Sequence, residues 1–293
     1  MQHHPNFRSA TCLLATLILS AGYLLAQDIT RLAIHDARED ANTPLCCLSG
    51  ADTHPDGNLV IISDRGVMFE ARVNLTENHL TVTRAVPLTL SDGKGLPKRR
   101  ADAEGLAILP TGEAFISFER RHRIAQYNGA LGVRAWDAPH LTTLSDNGGL
   151  EALAVDARGM LWAIPETPQG KGFPLLTLKD GLWAQVGMIP REGSFLPVGA
   201  DFDDRGRLYV LERDFSLLRF RSRLRRITFS GSREIEIDTL FESNTGNYDN
   251  LEAVTIHKMP GGGLAALMIS DDNAKFFQQT QAIYIRIPDE TSP

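Results

Sequence analysis

Acidic residues recur at matching positions in five similar segments of this sequence. Each segment has an apolar run, a tight turn with glycine, a second apolar run and then an acidic residue. In three of them a glutamate also opens the first run, at Glu104, Glu151 and Glu252. Carboxylates brought together at one end of a hairpin repel each other unless a proton, an arginine or a metal ion compensates. The pattern therefore predicts a site that holds positive charge.

A two-residue turn in each hairpin predicts which positions face each other across the two strands. The predicted pairs are Glu104 with Glu119, Glu151 with Glu166, Glu252 with Asp271, Ser49 with Asp64, and Gly199 with Glu212. Three hairpins would then place two carboxylates opposite each other.

Ca²⁺ is the metal ion that this pattern favours, because it takes six to eight oxygen ligands. The predicted ligands are Glu104, Glu119, Glu151, Glu166, Glu252, Asp271, Asp64 and Glu212. An arginine network is the alternative, since Arg65, Arg120 and Arg213 directly follow acidic positions. The two can coexist, and a metal beside arginines would bind a phosphate or carboxylate ester and stabilise charge on its oxygens. The predicted catalytic residues are Glu104, Glu119, Arg120, Arg65 and Arg213.

Other charged groups give weaker signals. The alternating arginines 219, 221, 223 and 225 are typical of the solvated face of a strand. The eight histidines show no metal-ligand spacing, and only His122 lies beside the acidic and basic residues. The sequence contains no G-x-S-x-G elbow, glycine-rich phosphate loop, zinc pattern or dinucleotide fingerprint.

The elements that must position these residues are β-hairpins. Gly112, Gly159 and Gly206 follow one another at steps of 47 residues, near the length of a propeller blade. Two weaker strands follow each hairpin, and four strands make one blade. The sequence predicts an all-β fold, a single β-propeller of five four-stranded blades, with six blades as the alternative. The strand predicted at residues 29–35 would pair with the last strand, residues 282–287, and close the ring.

The chain begins with a basic segment and a long apolar run that ends near Ala26, which resembles a secretory signal peptide. We expect cleavage after residue 26, a propeller domain over residues 27–293, and a bacterial periplasmic or secreted location. An uncleaved membrane anchor is the alternative. The mature chain keeps only the cysteines Cys46 and Cys47, which we interpret as two thiols, with a vicinal disulfide as the alternative.

The formal net charge of −6 gives no general attraction to nucleic acid or to an anionic membrane. With 43% hydrophobic and 23% charged residues, the chain has the composition of a globular protein with a sizeable core. We expect a monomer with no nucleic-acid partner, and no membrane span after signal cleavage.

The residues around the acidic positions resemble the phytase-like family, whose name refers to esterase-like activity of phytase. The segments that carry the resemblance are residues 59–66 (LVIISDRG), 102–107 (DAEGLA), 117–120 (SFER), 122–124 (HRI), 147–154 (NGGLEALA), 211–213 (LER), 250–254 (NLEAV) and 270–273 (SDDN). The segment at Gly199 departs from the pattern because it lacks the opening glutamate. The resemblance implies hydrolysis of ester or phosphoester bonds, with calcium-dependent propeller phytases as an analogy of fold and acidic channel.

Together these observations predict an exported metal-dependent hydrolase of phosphoester or carboxyl-ester substrates, acting on a small anionic molecule. The rival hypothesis is a non-enzymatic periplasmic propeller that binds a ligand or an envelope protein with the same face. A lactonase-like propeller acting on cyclic esters is a third hypothesis, which shares the metal and differs in substrate.

Overall fold

The computed structural model describes residues 29–39, 42–139, 144–145, 148–216, 218–230 and 234–288. The predicted signal peptide, residues 1–26, lies outside the described residues. Within them the fold is all-β, with one short 3-10 helix at Lys98–Arg100. None of the helices described is long and apolar enough to cross a membrane.

Twenty strands make up the described chain. In chain order they are β1 Ile29–Asp36, β2 Leu48–Thr53, β3 Leu59–Ser63, β4 Val67–Asn74, β5 His79–Pro87, β6 Ala103–Ile108, β7 Ala114–Phe118, β8 Arg123–Asn128, β9 Leu131–Asp137, β10 Ala152–Val155, β11 Leu161–Ile164, β12 Gly172–Lys179, β13 Leu182–Pro190, β14 Leu196–Phe202, β15 Leu208–Ser216, β16 Arg219–Ser230, β17 Glu234–Glu242, β18 Asn250–Lys258, β19 Leu264–Asp271 and β20 Ala282–Ile287.

Three sheets contain four antiparallel strands in sequence order: β6 to β9, β10 to β13, and β14 to β17. The remaining strands form an eight-stranded sheet in the order β18-β19-β20-β1-β5-β4-β3-β2. In this sheet β1 pairs antiparallel with β20 through residues 29–32 and parallel with β5 through residues 33–36. Repeated four-stranded meanders of this kind are the blades of a β-propeller. The predicted all-β propeller class is confirmed.

The first strands of the meanders lie side by side around an axis. β2 contacts β6, β6 contacts β10, β10 contacts β14, β14 contacts β18, and β18 contacts β2. Glycine permits this close approach, because a Cβ added at Gly105 would lie only 2.5 Å from the carbonyl oxygen of Glu151. The cavity left between these strands is about 10 Å³, so the described part of the axis is almost filled. Along this axis, a ligand can therefore bind only at the two ends.

The turn between the first and second strands of each meander has three residues rather than the predicted two. In the β6–β7 hairpin the N–H of Leu109 donates to the carbonyl of Glu113, and that of Gly112 donates to Leu109, both at 2.8 Å. Gly112 has φ +96°, a left-handed conformation that favours glycine. A three-residue loop with glycine at this position is a common hairpin type. It shifts the strand register by one position from the prediction.

Candidate metal and ester site

The predicted facing pairs are wrong, because the turn shifts the register and, in four of the five hairpins, a β-bulge adds to that shift. In the β6–β7 pair, Ala103 lies opposite Phe118 and Leu106 opposite Ile116, with the bulge between them. The β18–β19 pair behaves in the same way, and Asp271 lies opposite Asn250 rather than Glu252. A bulge leaves the extra residue unpaired and re-aims its side chain.

Carboxylates nevertheless cluster at one end of the axis, and we call this cluster the acidic mouth. Its acidic members are Asp64, Asp102, Glu104, Glu119, Glu151, Glu166, Glu252 and Asp271. Carboxylate oxygens of Asp102, Glu104 and Glu119 all lie within 4.8 Å of one another. Glu119 is almost fully buried, and its Oε1 accepts a hydrogen bond of 3.0 Å from the N–H of Gly149. Glu104 and Glu119 therefore lie close together, although they do not face each other across the strands as predicted.

Electrostatic repulsion links these carboxylates to those of the neighbouring sheets. Burial raises the pKa of Glu104 well above its usual range, and the charges of Glu151, Glu252 and Glu119 raise it further. Burial likewise raises the pKa of Glu151, with the Glu166 and Glu119 carboxylates adding to the effect. Protons or bound cations are therefore needed to offset the repulsion between the carboxylates of the acidic mouth.

Asp64 and Asp271 complete the acidic mouth on its other side. Burial raises the pKa of Asp271 to about 7, and the charges of Glu252 and Asp64 contribute. Burial and the charge of Asp102 also raise the pKa of Asp64. Among the described residues, Asp64 Oδ1 is buried without a hydrogen-bond partner. A buried oxygen of this kind calls for a partner such as an ordered water or a cation.

One arginine lies inside the acidic mouth and neutralises part of its charge. Arg213 Nη2 lies 2.9 Å from Glu166 Oε1, while Nη1 donates to Glu252 and, at 3.0 Å, to Asn250 Oδ1. Burial opposes the charged guanidinium, but the carboxylates of Glu252 and Glu166 outweigh it and raise the pKa of Arg213. An arginine network and an excess of carboxylates therefore occur together.

The other two predicted arginines lie at the rim and are exposed to solvent. Arg120 Nε lies 2.5 Å from Asp102 Oδ2, and its side chain is 62% exposed. Arg65 is exposed beside Cys47 and Asp64. These two guanidinium groups can reach an anionic group arriving from solvent.

Glu212, a predicted metal ligand, has its carboxylate occupied. Arg223 Nε donates to its Oε2 at 2.7 Å, and Arg225 Nη2 donates to its Oε1. Glu212 is 1% exposed, and Arg225 is fully buried. We therefore leave Glu212 out of the proposed metal site. The expectation that residues 223 and 225 lie on a solvated face is wrong, because they pair with β15 residues inside the sheet.

Two members of the acidic mouth were not predicted as site residues. Asp102 shares the carboxylate cluster with Glu104, and Asn250 Nδ2 donates to Glu252 Oε1 at 2.7 Å. Each lies two positions before a bulged glutamate, in the sequences Asp102-Ala103-Glu104 and Asn250-Leu251-Glu252. This shared spacing is the signal that would have identified them.

The adjacent cysteines lie beside the acidic mouth. Both are free and buried, with their Sγ atoms 3.2 Å apart, so the preferred interpretation of two thiols matches the structure. The N–H of Cys47 donates to Asp272 Oδ1 at 3.1 Å, and its carbonyl accepts from the N–H of Asp64 at 3.0 Å. Cys47 therefore links the backbone at Asp64 to the side chain of Asp272.

The opposite end of the axis also carries carboxylates, but these serve the packing of the sheets. Asp52 Oδ2 accepts a 2.6 Å hydrogen bond from the N–H of Ile108, and Asp201 Oδ2 accepts one of 2.7 Å from the N–H of Ile256. Each aspartate thus satisfies a backbone donor of another sheet.

The fold and the acidic mouth define a β-propeller with a carboxylate-rich site on its axis. The family model described as "Phytase-like: Esterase-like activity of phytase" matches residues 43–274, which is most of the chain. The chain belongs to this phytase-like family. The comparison with curated proteins gives no match.

Several solved structures resemble the chain at low sequence identity. The PQQ-bound aldose sugar dehydrogenase of Streptomyces coelicolor is 14% identical, with 89% of this chain and 98% of that chain covered and a TM-score of 0.49. Virginiamycin B lyase of Staphylococcus aureus is 15% identical, with coverages of 86% and 73% and a TM-score of 0.46. A gluconolactonase of Xanthomonas campestris is 10% identical, with coverages of 83% and 86% and a TM-score of 0.45.

Proposed function

We propose that this chain is an exported metal-dependent hydrolase of phosphoester or carboxyl-ester substrates, with its active site at the acidic mouth. The observation that carries the proposal is the convergence of Asp102, Glu104 and Glu119, whose oxygens lie within 4.8 Å of one another. Oxygens on opposite sides of one Ca²⁺ ion lie about 5 Å apart, because each Ca–O distance is about 2.3–2.6 Å. The three carboxylates therefore fit Ca²⁺ as ligands, and the orphaned Asp64 oxygen is in keeping with a cation nearby.

The scaffold that we propose is a single propeller of five blades. Each of the five first strands would open one blade, and β1 would act as the outer strand of the blade formed by β18, β19 and β20. The antiparallel pairing of β1 with β20 supports closure of the ring by the two ends of the domain. We propose no sixth blade, because the five meanders use every described strand.

Each residue of the acidic mouth has a role in this proposal. Asp102, Glu104 and Glu119 would hold Ca²⁺, and the surrounding acidic ligands would be Glu151, Glu166, Glu252, Asp271 and Asp64. A bound Ca²⁺ would supply Lewis-acid stabilisation of charge on an ester or phosphate oxygen. Arg213 holds Glu166 and Glu252 in position through its ion pairs. Carboxylates that are not ligands would orient the attacking water and accept its proton.

Substrate recognition would fall to the exposed arginines at the rim. Arg65 and Arg120 are placed to hold the anionic group, which makes a small anionic ester or phosphoester the proposed substrate. We propose that the protein acts as a monomer in the bacterial periplasm or outside the cell, after removal of residues 1–26. Binding of nucleic acid and a membrane span in the mature protein form no part of the proposal.

The experiment that tests this function is the double substitution Glu104→Gln and Glu151→Gln. We expect it to abolish both Ca²⁺ binding, followed by calorimetry, and hydrolysis of p-nitrophenyl phosphate or p-nitrophenyl acetate. Glu70→Gln is the matched control, because Glu70 pairs with Arg84 on the surface and should leave both properties unchanged. Full activity in the double variant would contradict the assignment.

A non-enzymatic binding protein is the second candidate, and the ion pairs of Arg213 favour it. If arginines alone neutralise the mouth, the site has no need of a metal ion and presents a fixed charge pattern to a ligand or an envelope protein. Stability that does not respond to a chelator would favour this candidate. Turnover of lactones in preference to open-chain esters would instead identify a lactonase-like enzyme.

A further inference from the structure

A large apolar cavity lies between two neighbouring sheets, at the face opposite the acidic mouth. Its volume is about 760 Å³, and it is lined by both the sheet β10 to β13 and the sheet β14 to β17. Cavities of about 300–1,000 Å³ are typical of sites for small molecules. We call it the aromatic wedge, defined by Trp162, Phe202, Phe229, Leu175, Val186 and Met188.

Three aromatic rings form the floor of the aromatic wedge. The Trp162 ring centroid lies 5.5 Å from that of Phe202 and 5.4 Å from that of Phe229. All three rings are only partly buried. The indole N–H of Trp162 donates to Asp156 Oδ2 at 3.3 Å, so its polar atom is already satisfied. The floor therefore offers apolar surface to a ligand.

The wall formed by β13 is also apolar and open to solvent. Val186 is 51% exposed and Met188 is 39% exposed, and both line the cavity. Burial of such side chains by a ligand would be favourable, because it removes apolar surface from water.

The corresponding cavity between the sheets of β2 to β5 and β6 to β9 has a different lining. It has a volume of about 450 Å³, and its lining includes His54, Asp56, Glu70 and Glu113. The divergence of neighbouring sheets thus creates a gap without requiring aromatic residues in it. The aromatic lining of the aromatic wedge therefore comes from the residues of the sheets β10 to β13 and β14 to β17, and not from the propeller fold itself.

Four charged residues line the rim of the aromatic wedge: Asp156, Arg158, Asp204 and Arg205. Arg158 pairs with Asp156 at 2.7 Å, and Asp204 pairs with Lys258 at 2.8 Å. Arg205 is exposed on the same rim and interacts electrostatically with Asp204, but in the part of the chain that the structure describes it has no carboxylate within 4 Å. A ligand with a single negative charge would satisfy Arg205.

We propose that the aromatic wedge binds a small amphiphile with one anionic group, of the class of medium-chain carboxylates. The acyl chain packs on Trp162, Phe202 and Phe229, and the carboxylate lies at Arg205. This site is separate from the acidic mouth and does not depend on the proposed function.

Calorimetric titration of the full protein with dodecanoate at pH 8 tests the proposal. We expect saturable binding with one site per chain, and a loss of affinity of at least about tenfold in Met188→Glu, because burying a carboxylate against the acyl chain is costly. Leu182→Glu is the matched control: it lies on the same strand, is 76% exposed and does not line the cavity, so it should bind as the parent does.

Arg205→Gln tests the charge part of the proposal. We expect it to weaken dodecanoate binding about threefold to fivefold, the range of an exposed ion pair, and to leave dodecanol binding unchanged. Absence of dodecanoate binding to the parent protein, or equal affinity in Met188→Glu and Leu182→Glu, would overturn the proposal. Ester hydrolysis in the same samples reports on the acidic mouth, so the two failures are distinguishable.

Discussion

The guanidinium of Arg213 lies 2.9 Å from the carboxylate of Glu166, which belongs to the neighbouring sheet. The same group donates to Glu252 of the sheet on its other side. Removing one partner of a buried ion pair leaves an uncompensated charge, at a cost of about 3–5 kcal/mol. Since Arg213 is 22% exposed, we expect Arg213→Gln to lower the free energy of unfolding by about 3 kcal/mol, near the lower end of that range.

Urea unfolding measures this loss against Arg84→Gln as control. Arg84 is 61% exposed and pairs with Glu70 on the surface, so its loss should be within about 1 kcal/mol. Equal losses in the two variants would show that Arg213 does not hold the acidic mouth together.

The raised pKa of Asp271 makes stability depend on pH in the metal-free protein. A carboxyl with a pKa of about 7 in the folded chain and about 3.9 in the unfolded chain binds more proton when folded between these values. The stability it contributes is therefore fully present below pH 4 and is lost as pH rises through 7. Between pH 6 and pH 8 we expect the free energy of unfolding to fall by about 1 kcal/mol from Asp271 alone.

Chemical unfolding with a chelator present, at pH 6 and pH 8, checks this dependence. Asp271→Asn should reduce the slope, whereas the Asp201 carboxyl, whose pKa burial also raises to about 7, continues to titrate. His257 is neutral throughout this range, because burial lowers its pKa to about 4. Stability that rises with pH in the chelated parent protein would contradict the account.

Glu212 offers a test that separates structure from metal binding. Its carboxylate is 1% exposed and pairs with Arg223 and Arg225. Glu212→Gln leaves the buried Arg223 and Arg225 with only the exposed Glu192 as counter-ion. We expect it to lower the free energy of unfolding by about 3 kcal/mol, the lower end of the range for breaking a buried ion pair. Ca²⁺ affinity, measured by calorimetry on the fraction that remains folded, should stay at the parent value. A selective loss of Ca²⁺ binding without destabilisation would return Glu212 to the metal site.

The close packing of the first strands predicts a high cost for a single methyl group at Gly105. Its Cβ would lie 2.5 Å from the Glu151 carbonyl oxygen and 2.8 Å from Leu153 Cβ. Overpacking of this kind costs about 1–3 kcal/mol, and we expect Gly105→Ala to lower the melting temperature accordingly. Gly95→Ala is the control, because an added Cβ there has nothing within 4 Å and Gly95 has no positive φ. Similar melting temperatures for the two variants would contradict the observed packing.

The sequence predicted the repeated hairpin well, because its signals are local. Turn glycines such as Gly112 and Gly159 adopt the positive φ expected of them. The strands predicted at residues 29–35 and 282–287 correspond to β1 and β20. Alternation of apolar residues and the need for glycine in tight turns depend on neighbours in the chain, so they can be read without the tertiary structure.

The geometry of the site could not be predicted in the same way. A three-residue loop and a β-bulge each move the register by one position, and neither has a strong sequence signal, so Glu104 was wrongly paired with Glu119 across the strands. Whether the Glu212 carboxylate is free to bind a metal depends on Arg225, which lies thirteen positions further along the chain, on the adjacent strand. Whether an arginine is solvated or buried is decided by the packing of whole sheets.

The most direct test of the central claim is the melting temperature of the purified protein, measured at pH 8 with a chelator and then with increasing Ca²⁺. A ligand that binds the native state stabilises it in proportion to the logarithm of its concentration above the dissociation constant. We predict a melting temperature that rises with Ca²⁺ in the parent and in Glu70→Gln, and no rise in Glu104→Gln. A melting temperature unaffected by Ca²⁺ or any other divalent ion would contradict the account, because arginines and protons alone would then neutralise the acidic mouth.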